Sequence, residues 1–109
     1  MTADEKSELF WDIAKPMLLE GTAQKSTMMG FPCLRTAEGQ FFASLEKSSG
    51  DMIIKVAAER VKELIASGVA QPFSPNGRTF KEWAKVVPVD RELWHDLVQE
   101  AYQFVEGKG

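Results

Sequence analysis

The sequence predicts an α+β domain in which one antiparallel sheet is interrupted and flanked by helices. Three observations predict it. Apolar residues recur at three- and four-residue steps near both ends of the chain and again over 57–67, the repeat that lines one side of a helix. Between Ser26 and Val56, short alternating runs are separated by glycine-bearing turns, which is the pattern of a β meander. After the middle helix, a Pro- and Gly-marked loop precedes a further β-rich stretch. The order read in this way is helix, three strands, helix, two strands, helix.

Thr2-Ala3-Asp4-Glu5 fits a capping box, in which the threonine hydroxyl accepts a first-turn N–H and the glutamate accepts the cap N–H. Leu9, Phe10, Ile13, Met17 and Leu18 then share one side of a helix ending near Glu20-Gly21. Pro16 lacks an N–H and crowds the preceding turn, so a kink or break is expected near Ala14 and Lys15. In the meander, Met29-Gly30, Glu38-Gly39 and Ser48-Ser49-Gly50-Asp51 supply the turns. Pro32 places its strand at a sheet edge or beside a bulge. Alternation puts Phe41, Ala43, Leu45, Met52, Ile54 and Val56 on the core face, and Phe42, Ser44, Glu46, Ile53 and Lys55 on the other.

From Ala57 to Ser67, Ala58, Val61, Leu64 and Ile65 oppose Glu59, Arg60, Lys62 and Glu63, and Gly68 is placed to cap the helix. Pro72, Pro75 and Asn76-Gly77 mark a loop, with a short strand around Gln71 to Ser74 and another over Phe80 to Val87. Asp90 is the expected N-cap of the last helix, stapled by Val89 and Trp94. Leu93, Leu97, Val98, Ala101, Phe104 and Val105 form its buried side, and Gly107-Lys108-Gly109 are expected to fray.

At 109 residues, the chain fits a single domain, 1–109, with one core. With 44% hydrophobic and 27% charged residues, it is too apolar for a disordered chain and lacks the apolar runs of a membrane span. No basic lead runs into an apolar stretch at the N-terminus, so a cytoplasmic location is expected and no membrane partner. Cys33 is the one cysteine, which excludes an intramolecular disulfide and a Cys-x-x-Cys redox pair. The net charge of −3 argues against nucleic acid as the main partner, but it is uneven: residues 24–87 carry nine bases against six acids, while 1–23 and 88–109 each carry five acids against two bases.

Ser26-Thr27-Met28-Met29-Gly30-Phe31-Pro32-Cys33-Leu34-Arg35, followed by Phe41-Phe42-Ala43-Ser44-Leu45 and Phe80-Lys81-Glu82-Trp83, resembles the family of small, stand-alone bacterial proteins similar to the TfoX N-terminal domain. The resemblance covers about nine-tenths of the chain. It implies a two-layer α+β fold of about five antiparallel strands with helices mainly on one face, related to type III secretion chaperones and to the YjbR or MmcQ group. It implies no catalytic residue.

Among chemistry-bearing residues, His95 has only Glu92, Asp96 and Gln99 nearby on its helix, too sparse a set for a metal site, and it is expected to be solvated. Cys33 is expected to be a small buried hydrophobe. No serine or threonine has a base at motif spacing, and the glycines lie singly in turns. The expected protein is therefore non-enzymatic, with no cofactor and no metal. The strongest surface combines Arg35, Phe42, Ile53, Lys55, Lys81, Trp83 and Lys85 on the sheet face away from the helices, with Arg78 beside it. Cations mixed with aromatics suit a protein interface, including a homodimer, and also a nucleic-acid strand. Three functions are thus open: an interaction domain that self-associates through this face, a nucleic-acid-associated regulator, and a small-ligand protein or enzyme with a pocket near Pro72 to Arg78. For Trp83, Phe80, Ala84 and Val86 compete for the interior, so its side is left open.

Overall fold

The computed structural model describes residues 2–28 and 30–107, with Met28 described by its backbone alone. Helix α1 (Ala3–Glu20) starts at the capping box, where Glu5 N–H donates to Thr2 Oγ1 at 3.2 Å and Thr2 N–H donates to Glu5 Oε1 at 3.0 Å. Those bonds hold the Glu5 carboxyl below its ordinary pKa. Pro16 does not break the helix, and α1 continues as one helical element to its C-cap at Gly21. Phe10, Ile13, Ala14 and Met17 are buried on both sides of the proline, so packing across the site outweighs the one missing hydrogen bond.

Six strands follow rather than about five: β1 (Ala23–Met28), β2 (Phe31–Thr36), β3 (Phe41–Leu45), β4 (Met52–Lys55), β5 (Ala70–Pro72) and β6 (Trp83–Val86). The additional strand is β1. Its Ala-Gln-Lys-Ser-Thr sequence lacks apolar alternation because it is an edge strand, with Gln24, Lys25 and Thr27 exposed. The Met29-Gly30 turn that joins it to β2 lies partly outside the described residues, as do Lys108 and Gly109 of the tail expected to fray.

The sheet is entirely antiparallel between neighbours, in the order β1-β2-β3-β4-β6-β5. Strand β6 inserts between β4 and β5, which therefore run parallel and are linked through α2 (Ala58–Ala66). Of the two positions expected from Pro32, a sheet edge or the neighbourhood of a bulge, the structure has the second: β2 is interior, and its pairing with β3 shifts register between Leu34 and Arg35. The β2–β3 ladder begins only at Cys33, so the missing proline N–H falls beyond it, and the Pro32 carbonyl accepts from Ser44 Oγ at 2.8 Å.

Helix α2 ends in a Schellman motif, in which Gly68 N–H donates to Ile65 O and Val69 N–H donates to Leu64 O. Gly68 takes a φ of +83°, which the motif requires and glycine permits. Helix α3 (Arg91–Gly107) is capped by Asp90, whose Oδ1 accepts Leu93 N–H at 2.9 Å. Trp94, fully buried, donates its indole N–H to Pro88 O at 2.8 Å and anchors the chain entering α3.

The three helices pack on one face of the sheet, α1 on β1, α2 on β5 and β6, and α3 on β3 and β4. The two-layer α+β fold is thereby shown. Phe10, Leu34, Phe42, Met52, Ile54, Val86 and Trp94 meet in the main core between the layers. At the start of α1, Lys6 bonds Asp51 at 2.9 Å and Ser49 O at 3.1 Å. There Ala3 Cα lies 2.9 Å from where a Cβ on Gly50 would stand, so the β3–β4 turn seats the helix start only because residue 50 has no side chain.

Candidate interaction surface

Strand register decides what the helix-free face displays. Between β2 and β3, Leu34 pairs with Ala43 but Arg35 pairs with Phe41, leaving Phe42 as the extra residue of a β-bulge. The bulge reverses the expected alternation. Phe42 turns into the main core, fully buried and edge-on to Tyr102 of α3 with ring centroids 5.4 Å apart. Phe41 takes the opposite face. Phe42 is therefore corrected from the candidate face to the core, and Phe41 is the residue that period-two counting missed.

Two rows cross the helix-free face. One contains the pairs Arg35 with Phe41 and Lys55 with Trp83. The next runs Cys33, Ser44, Ile53, Lys85 and Gln71 through successive strand pairs. Ile53 and Lys85 lie on the face expected for them, and Trp83, whose side the sequence left open, lies on it too. The face is not bare, however. After Pro72 the chain leaves the sheet and residues 73–82 fold back over it, closed on themselves by Phe80 N–H donating to Phe73 O at 3.0 Å. Phe73, Ile53 and Trp83 form a second, smaller core, with Phe31, Phe41 and Phe80 packed around it. Trp83 thus resides on the helix-free side yet is only 9% exposed. Local sequence offered two alternatives for it, helix side or solvent, and the structure takes neither.

The cations of this face differ in what they are free to do. Lys85 bonds Glu46 Oε1 at 3.1 Å and lies 3.6 Å from Asp51 Oδ2, in the part-buried cluster that also holds Lys6. It ties strands together. Lys55 lies over the Trp83 ring at 5.9 Å and Arg78 over Phe80 at 5.7 Å. Lys81 is exposed in the turn before β6, since the strand begins at Trp83 rather than Phe80. Arg35 is half-buried, and its Nε has no hydrogen-bond partner among the described residues. The cations of this edge are consequently the half-buried Arg35 and Lys55 and the exposed Lys81, whereas Lys85 is held by the acids Glu46 and Asp51.

Cys33 is fully buried, and burial raises its thiol above the ordinary value against the smaller opposing pulls of Arg35 and of a hydrogen bond with Ser26. It is protonated at neutral pH, which suits packing rather than nucleophilic attack. His95 is exposed, 3.4 Å from Asp96. No group of three His, Cys, Asp or Glu side chains that could hold a metal occurs among the described residues. No helix among them is long and apolar enough to cross a membrane.

Compared with known proteins, the chain matches no protein-family model, no curated protein and no solved structure.

Proposed function

We propose that this chain is a non-enzymatic interaction domain whose partner is a second copy of itself, docked through the helix-free face. The observation that carries this reading is the ring of half-buried Phe31, Phe41 and Phe80 around the small second core. Half-exposed aromatics in contiguous contact are what an interface core supplies, whereas a solvated sheet face carries polar side chains. One cation suits such a contact: Arg35 is half-buried beside Phe41 and its Nε has no hydrogen-bond partner among the described residues, so an acceptor on the second copy would complete it. The resemblance to the TfoX N-terminal group belongs to the same proposal, and the six-stranded two-layer architecture is compatible with it.

The nucleic-acid reading has less support. Trp83 is packed against Ile53 and Phe73 and only 9% exposed, which leaves little of its ring for a base to stack on, and Lys85 is engaged by Glu46 and Asp51.

Sedimentation at micromolar concentration tests the proposal. The parent chain is expected to dimerise and Phe41→Glu to be monomeric, with Arg35→Glu weakening the dimer by about tenfold, the equivalent of one lost charge-assisted contact. A strictly monomeric parent overturns it, as does a Phe41→Glu variant that is folded and still dimeric. Binding of single-stranded DNA that weakens steeply with salt would favour the regulator instead.

A further inference from the structure

A second feature lies at the β5 edge of the sheet and goes beyond self-association. Strand β5 has only three residues, and its pairing with β6 ends at Pro72 opposite Ala84, so Trp83 has no β5 residue beside it. The chain swings away at Phe73 and returns through Thr79 and Phe80, while α2 begins with Ala58, whose small side chain does not fill the space. The result is a groove of about 440 Å³ between α2 and the start of β6, within the size range of small-molecule sites.

Its walls are apolar, formed by Val61, Ile65, Pro72, Phe80 and Trp83. Two cations, Lys62 and Lys81, complete the lining, and no carboxylate is among the lining residues. Both lysines reach solvent. Lys62 makes a single loose contact, 3.5 Å, with the exposed Glu59, and Lys81 makes no ion pair among the described residues. A groove with an apolar body and two solvent-reaching lysines at its rim complements an amphiphile whose head carries negative charge. We infer that it binds a small monocarboxylate with an aliphatic or aromatic body, the chain lying along Val61, Ile65 and Trp83 and the carboxylate held by Lys62 and Lys81.

Octanoate, octan-1-ol and octylamine, which share one apolar body and differ in head charge, separate this from non-specific apolar adsorption. Titrated into the isotope-labelled chain, octanoate is expected to shift the Ala58, Thr79 and Trp83 resonances saturably below about 1 mM, the alcohol to bind more weakly and the amine not at all. In the Lys62→Glu/Lys81→Glu double variant, octanoate binding should fall about tenfold and octanol binding should stay unchanged. Both substitutions are at exposed positions, and an unchanged thermal unfolding curve verifies the fold. Equal affinity for the three probes, shifts centred elsewhere, no saturation below about 1 mM, or undiminished octanoate binding by the double variant each overturns the inference. Phe41→Glu should leave octanoate binding intact, so failure of the dimer and failure of the groove are separately visible.

Discussion

On one face of the sheet, Leu34, Phe42 and Met52 are fully buried beneath the helix layer, while on the other Ile53 and Trp83 are covered by the single connection 73–82. The two coverings differ in kind. Helices satisfy their own backbone hydrogen bonds and contribute a whole apolar side, so the first face closes over a large set of fully buried side chains, with Trp11, Tyr102 and Phe104 half-buried at its margin. The connection contributes Phe73, Phe80 and little else, and it leaves Phe31 and Phe41 half-exposed at its margin. A sheet face covered by a loop is thus both a small core and a surface with unfinished apolar contacts, which is why the proposed partner is placed there.

Three substitutions probe this contrast, beginning with the largest effect. Phe42→Ala removes a fully buried ring beneath α3 and should destabilise the chain by about 3–5 kcal/mol in urea unfolding. Phe73→Ala opens the loop-covered side, which can collapse further than the helix-covered side, and a loss of about 2–3 kcal/mol is expected. If the two losses are equal, the second cluster is as rigid as the first and the contrast fails. Ser44→Ala leaves the Pro32 carbonyl without its hydroxyl donor and should cost about 1 kcal/mol. That variant tests the face in the absence of any change in its aromatic ring contacts. Hydrogen exchange sharpens the same comparison, since the amides of 73–82 should open well before those of β3 and β4.

Local chemistry made much of the fold legible. The Thr2 box, the Gly68 cap and the Asp90 cap are short-range hydrogen-bonding arrangements, and each forms where its residues predict. The candidate surface was less legible. Ile53, Trp83 and Lys85 do occupy the helix-free face, but only register reveals that Phe42 leaves it and Phe41 joins it, because one extra residue in β3 inverts the alternation on that side of the bulge. No local signal marks that residue: Phe41 and Phe42 are identical side chains, and the choice between them is made by pairing with β2. Lys85 was likewise visible as a cation on the right face, but its engagement by Glu46 and Asp51 depends on contacts more than thirty residues away in sequence.

The sequence by itself determined where helices begin and end and where the chain turns, because these depend on residues within a few positions of each other. The strand order, the burial of Trp83 on the helix-free side, the groove beside α2 and the continuity of α1 through Pro16 were decided only in the tertiary structure. Each rests on long-range packing, in which one buried contact surface outweighs a local preference of comparable size.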